Sequence, residues 1–313
     1  MSGAAIMLLA LVIDAGVSWP AALHARIGHP VTWIGALIAV LDRTLNRENT
    51  SEATRRVAGT LVAISVISLV AGVGWALTLI LPRGWMGLVL AAVLAWPLVA
   101  ARSMHDHVVA VARPLMAGDL PAARQAVSLI VGRDPSQLDA AGIGRAATES
   151  LAENTSDGIV APLFWGVIFG LPGIAAYKAV NTLDSMIGHR TIRHEAFGWA
   201  AARIDDVANL IPARLTGVLF AVVSARPAVA FATMWRDARQ HRSPNAGWPE
   251  AALAGALGIR LSGPRIYAGH LAQEPWVNAA APDPAPSDLN RALALYVRAM
   301  LVLAAGLALL ALL

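Results

Sequence analysis

"APLFWGVIFGLPGIAAYKAVNTLDS", residues 161–185, sets an apolar run broken by proline and glycine directly against a cluster of polar side chains. A transmembrane helix needs about 20 mainly apolar residues, and 159–177 has that character. Yet Pro162, Gly166, Gly170, Pro172 and Gly173 interrupt it. Comparable windows lie at 3–23, 57–81, 85–101, 215–235 and 292–313, the fourth of these broken by Arg226-Pro227 and the last carrying Arg298. Over 313 residues, 57% are hydrophobic and only 14% charged, too few charges for a soluble domain of this size. The expectation is an all-α, polytopic integral membrane protein with four to six hydrophobic segments, forming one membrane-embedded helical domain over 1–313. The first run lacks a basic leader and contains Asp14, unlike a secretory signal peptide.

Charge then bears on topology. The polar stretches 24–56, 102–158, 178–214 and 236–291 each carry five or six Lys or Arg, so the positive-inside rule places all of them in the cytoplasm. Crossing at every apolar run would send some outside. The conflict disappears if 159–177 doubles back at "FGLPG" and 215–235 at "SARPA"; the alternative is a pair of tilted, kinked helices. Stretches 102–158 and 236–291 are expected as cytoplasmic helix-and-loop regions. In the first, Asp119 should cap a helix running towards Gly132, and Asp134 a second helix with Pro135 at its first position. "PDPAPSD" (282–288) reads as a proline-rich linker.

Four polar clusters interrupt this background. His29-Pro30 should form an extended corner entering a helix. Glu153, Asn154, Thr155, Ser156 and Asp157 are consecutive; capping a helix that starts at Gly158 needs only one of them. Carboxylates there could hold a hard divalent cation such as Mg²⁺. Lys178 is the chain's only lysine, arginine serving everywhere else. On a helix Lys178, Asn181 and Ser185 share a stripe, with Asp184 beside it. An isolated lysine at a membrane edge more often pairs or snorkels, but a position reserved for a compact ammonium suits a phosphate. The fourth cluster holds Asp205 and Asp206, about 100° apart on a helix, and "SPNAGWPE", with Asn245 in a turn and a helix starting near Glu250.

Cysteine is absent, which excludes disulfides and thiol chemistry. The net charge of +4 is spread over several loops without a basic block, which argues against nucleic acid. No Walker loop, HExxH, GxSxG or strand-linked GxGxxG occurs.

"ENTSDGIVAPLFW", "YKAVNTLDSMIGH", "FGWAAARIDDVANLIPARLT" and "SPNAGWPEAALAGALG" together resemble the adenosylcobinamide-phosphate synthase family of cobalamin biosynthesis (CobD/CbiB), from "HPVTWIG" to "YAG" at 267–269. One departure lies near the start, where Asp14 is followed by Ser18-Trp19-Pro20 rather than a Gly-Asp-Pro-like corner. The resemblance implies a multi-pass protein of the bacterial inner membrane, with its site facing the cytoplasm. It implies ATP- and Mg²⁺-dependent amide ligation of adenosylcobyric acid to aminopropanol or its phosphate, and other late cobalamin enzymes as neighbours. Charge and spacing, not the family, suggest the individual roles. Lys178 would neutralise phosphate. Asp157 and Asp184 would bind Mg²⁺, with Glu153 as third acid. Asn154, Ser156, Asn181, Ser185 and Asn245 would position substrate. Asp205, Asp206 and Glu250 stand in reserve as metal ligands or general base. The alternatives are a non-enzymatic AmpE-like sensor and a small-molecule transporter built on broken helices.

Overall fold

The computed structural model is predominantly helical. It describes residues 2–132, 134–267 and 270–313, with side chains at all of these save 21 and 265–272. Ala268 and Gly269 of "YAG" lie outside the described residues. In chain order the helices are α1 (Gly3–Gly16), α2 (Ala21–Ile27), α3 (Pro30–Leu45), α4 (Glu52–Ile80), α5 (Trp85–Ala95), α6 (Ala101–Met116) and α7 (Leu120–Val127). There follow α8 (Ala140–Thr155), α9 (Ala161–Leu183), α10 (Trp199–Ala208), α11 (Leu210–Val222), α12 (Pro227–Asp237), α13 (Gly247–Leu257) and α14 (Pro286–Leu312). Two small antiparallel pairs complete the list: β1 (Leu261–Ser262) with β4 (Trp276–Val277), and β2 (Arg265–Tyr267) with β3 (His270–Ala272).

Among the described residues four helical runs are long and apolar enough to cross a membrane: Glu52–Ile80, Trp85–Met116, Ala140–Gly188 and Pro286–Leu312. Their surfaces agree with lipid exposure. On α4, Val57, Leu61, Leu69, Trp75, Leu79 and Ile80 leave more than half of their area uncovered, as do Leu301, Leu309 and Leu312 on α14. Such continuous apolar surface is untenable in water. Two expected spans fall short. The helix in window 3–23 stops at Gly16 after 14 residues, about 21 Å against a hydrocarbon core of about 30 Å. Window 215–235 is divided between α11 and α12, with Ser224 Oγ accepting from the Arg226 N–H at 2.9 Å in the bend, and Gly217 packs on Met234 across that hairpin.

The chain clusters into two compact units, each built from discontinuous segments: Met1–Ala100, Ala161–Asn209 and Gly306–Leu313 in one, Ala101–Val160 and Leu210–Ala305 in the other.

In the first unit the reversal at "FGLPG" is plain. Gly170 has φ 65° and ψ −147°, a region essentially closed to other residues. Beyond it the Cα of Gly173 lies against the carbonyl of Trp165, eight residues earlier; a straight helix would hold them about 12 Å apart. α9 is therefore a hairpin. Small residues let its backbone approach its neighbours: Gly74 of α4 meets Leu171 and Pro172 at the tip, and Gly3 meets Gly166 and Val167. The returning arm shares a core with α3 and α4, in which Ile38, Val62, Ala63, Val66, Ala179, Leu183 and Phe197 are buried. α4 serves as a ruler. The tip sits near Gly74, Ala179 and Leu183 share the core with Val62–Val66, and Phe197 packs on Gly59 near the polar start of the helix.

In the second unit α13 is buried along nearly its whole length and packs against α8, α11 and α12, Gly255 allowing contact with Ala230 and Thr233. Three local expectations need correction here. Asp119 caps α7 as expected, accepting from the Ala122 N–H at 3.0 Å, but that helix ends at Val127 rather than Gly132. The cap of the next helix is Asp139, which accepts from Gly142 N at 2.7 Å, while Asp134 only closes a turn onto Ser136. Asp139 wins because the regular helix starts at Ala140. The proline-rich stretch is clamped: Asp283 takes Arg260 at 2.6 Å and also Arg145, and both guanidiniums lie over the Trp276 ring.

Candidate functional site

Two polar clusters of the sequence fall on π-helical turns, Ser156–Val160 and Asp184–Gly188. A π-turn widens the helix by one residue and recurs at functional sites. It also overturns the capping reading: Ser156 and Asp157 start no new helix, because the chain runs from α8 through the π-turn into α9.

In the first unit the returning arm of α9 carries Lys178, Asn181, Asp184 and Ser185. Lys178 is 8% exposed, and its Nζ donates to Asn181 Oδ1 at 3.5 Å. Ser185 Oγ donates to the Asn181 carbonyl at 2.8 Å. His29 caps α3, its Nδ1 accepting from Val31 N at 3.2 Å, with Thr32 completing a capping box. The expected extended corner is therefore present. Burial, then the charges of Lys178 and His24, hold His29 below the ordinary histidine value.

The paired aspartates diverge. Asp205 accepts from Asn209 Nδ2 at 3.0 Å, and Asn209 in turn accepts from Tyr177 Oη at 2.8 Å. Asp206 pairs with Arg203 at 3.0 Å. Burial pushes its carboxyl up, against the opposing pull of Arg203 and Arg190. Asp184 lies against Gly188 and within the electrostatic reach of His189, Asp206 and Arg203. Beside these acids a cleft of ≈ 200 Å³ is lined by Gly188, Arg190, Glu195, Trp199, Ala202 and Arg203. Sequence reasoning passed over Arg190, Glu195, Trp199 and Arg203; the only signal was their place inside the quoted "FGWAAARIDD" block and the loop before it.

In the second unit Glu153 and Asn154 are exposed, and Asn154 Nδ2 donates back to the Ser150 carbonyl at 2.9 Å. Ser156 is buried, and its Oγ has no hydrogen-bond partner among the described residues. Asp157 is half-buried. Asn245 and Glu250 are buried, and α11 packs on both the Ser156–Val160 turn and α13. His241 was missed by the sequence reading. Its Nδ1 accepts from Ser243 N at 3.0 Å, which leaves the ring proton on Nε2, 3.8 Å from Glu250 Oε1.

Among the described residues no three His, Asp or Glu side chains converge as a metal cage. Mg²⁺ held by one or two carboxylates and a substrate's phosphates needs none, and Asp184 with Asp206 fits that donor set.

Long apolar helices sheathed in exposed leucine, valine and isoleucine define a polytopic α-helical membrane protein. The CobD/Cbib protein family model matches residues 7–296, and the chain belongs to that family. Its relatives include the "Cobalamin biosynthesis protein CobD" of Rhodobacter capsulatus, 66% identical over 300 residues, covering 96% of this chain and 95% of that protein. The protein of the same name from Brucella suis is 45% identical over 315 residues, covering 96% of each. That of Klebsiella pneumoniae is 46% identical over 305 residues, covering 95% and 93%. No solved structure matches the chain.

Proposed function

We propose that the chain is a cobalamin-biosynthesis ligase of the bacterial inner membrane. It would join a carboxylate of adenosylcobyric acid to the amine of aminopropanol or aminopropanol phosphate, at the expense of ATP and with Mg²⁺. Family membership supports the pathway. The observation that carries the chemistry is the sole lysine, buried on the returning arm of a hairpin beside Asn181 and nearly two turns before Asp184.

A carboxylate is a poor acyl donor. Its oxygen would attack the γ-phosphorus of ATP and release ADP; the amine then attacks the carbonyl carbon, expelling inorganic phosphate and a proton. Lys178 would stabilise the charge on the transferred phosphoryl group as a compact ammonium. Asp184 and Asp206 would hold Mg²⁺, which when bound neutralises phosphate oxygens. Asn181 and Ser185 would orient substrate. ATP supply puts the site on the cytoplasmic face.

Purified protein in detergent, given adenosylcobyric acid, either amine donor and Mg-ATP, should form a new amide with one ADP per product, read by mass spectrometry. A protein that moves corrinoid across vesicles, or binds it without making amide, would overturn the reading in favour of a transporter or a sensor.

A further inference from the structure

The stretch from Leu210 to Glu250 carries five arginines, Arg214, Arg226, Arg236, Arg239 and Arg242, against two acids, Asp237 and Glu250. Both acids are engaged. Asp237 accepts from Arg236 at 2.7 Å and from the Asn278 N–H at 2.8 Å, and Glu250 is buried with His241 Nε2 3.8 Å away. The surplus of positive charge is therefore local, and two guanidiniums express it.

Arg214, on α11, lies 4.4 Å from the centroid of the Trp248 ring, and its Nη1 donates to the Leu210 carbonyl of its own helix at 2.6 Å. Arg239, exposed in the turn after α12, makes no hydrogen bond or ion pair among the described residues. It stands within electrostatic reach of Arg214. Close backbone packing fixes this meeting. A Cβ at Gly217 would touch Met234 and the Trp248 carbonyl, and one at Gly247 would touch the Ala238 carbonyl. Like charges gathered beside a buried indole repel each other, and an anion between them removes that cost.

An apolar track leads away from these arginines. Ile211, Leu215, Val218 and Val222 recur at spacings of four, three and four, so they share one face of α11, and each of them is exposed. Arg214 lies three residues from Ile211 and four from Val218, at the edge of that face. With 13 residues α11 is about 20 Å long, too short to cross about 30 Å of hydrocarbon. Its apolar face is therefore not that of a spanning helix, and in water it would be untenable. Trp235, 68% exposed and edge-on to Trp248 at 5.0 Å, stands beside the arginines. Tryptophans so placed gather at the level of lipid headgroups.

We propose that Arg214 and Arg239 hold the phosphate of an anionic phospholipid, whose acyl chain lies along the apolar face of α11. A guanidinium offers phosphate oxygens two parallel N–H donors. A zwitterionic headgroup neutralises its own phosphate, so the surplus charge here favours an anionic one. The continuity of the arginines with the apolar face selects a lipid over a soluble anion, which would leave that face bare. The site is independent of the ligation proposed above.

The test uses the full chain and needs no turnover. Protein in detergent is offered dioleoyl phosphatidylglycerol and dioleoyl phosphatidylcholine, and retention is read by native mass spectrometry, with glycerol 3-phosphate as soluble competitor. The unmodified chain should prefer phosphatidylglycerol at least about tenfold, and Arg239→Gln should lower that preference about fivefold, the factor one basic side chain contributes near a lipid surface. Arg239→Lys should keep most of it. Because Arg239 makes no other bond among the described residues, misfolding cannot account for a difference between these two variants. Arg226→Gln, beside Gly258 at the far end of the α11–α12 hairpin, should leave the preference intact. Equal retention of the two lipids by the unmodified chain overturns the proposal. So does displacement of phosphatidylglycerol by glycerol 3-phosphate, an undiminished preference in Arg239→Gln, or a loss as large in Arg226→Gln.

Discussion

Replacing Gly170 by alanine tests the hairpin on which the placement of Lys178 depends. At φ 65° and ψ −147° a Cβ is strained by its own backbone, and the nearest other atom, Pro172 Cδ, would be 3.9 Å away. The cost is therefore conformational rather than a clash, about 1–3 kcal/mol. That is a roughly 5- to 150-fold shift in the folding equilibrium. Gly72→Ala is the matched control. It lies inside α4 with nothing within 4 Å of the added methyl, so helix propensity should stabilise it by up to about 1 kcal/mol. Reversible unfolding in mixed micelles, followed by circular dichroism, should move the two midpoints in opposite directions. Gly170→Ala should also lower turnover, because the strain sits between the arm that Gly166 packs on Met7 and the arm that carries Lys178. An unfolding curve for Gly170→Ala that matches the unmodified chain would refute the left-handed reversal.

Lys178→Arg keeps the charge but replaces a point with a fork; turnover at saturating ATP should fall at least about tenfold, with the circular dichroism spectrum unchanged, and full turnover would refute the phosphate role. His29 is held below its ordinary value by burial, Lys178 and His24, so the folded chain binds fewer protons than the unfolded one. Its contribution is complete above the ordinary histidine value and fades as pH falls through the lowered one; His29→Asn, which keeps a capping acceptor, should flatten that dependence in unfolding midpoints taken between about pH 7.5 and 5. Asp283 is held low by the Arg260 hydrogen bond and the charge of Arg145. Its stabilisation is present above the ordinary aspartate value and lost as acid titrates the folded carboxyl, so Asp283→Asn should be less stable at neutral pH but lose less on acidification, as read by the same unfolding assay.

Much of this was legible in one dimension. Hydropathy summed over a window found α4, α9 and α14, because transfer from water to lipid is nearly additive along a chain. The Gly-Leu-Pro-Gly interruption announced a reversal, since only glycine tolerates the backbone at 170, and the His29-Pro30 corner appeared where a local rule placed it. Boundaries were less secure. Asp134 and Asp139 each precede small, helix-permitting residues, and only the packing of α8 selects between them. The π-turns at 156–160 and 184–188 leave no compositional mark, because they arise from a one-residue mismatch between a helix and its neighbours.

The sequence by itself determined that this chain is helical, embedded in a membrane, and equipped with one lysine and a few acids at the edge of a broken apolar run. Only the tertiary structure decided which charges meet: that Asp205 serves Asn209 and Tyr177 while Asp206 faces Arg203, and that Asp42 fastens Arg193 across 151 positions of chain. Burial of apolar surface can be summed residue by residue. Coulombic and hydrogen-bond energies depend instead on separations of a few ångströms between groups far apart in sequence, and those separations exist only once the chain has folded.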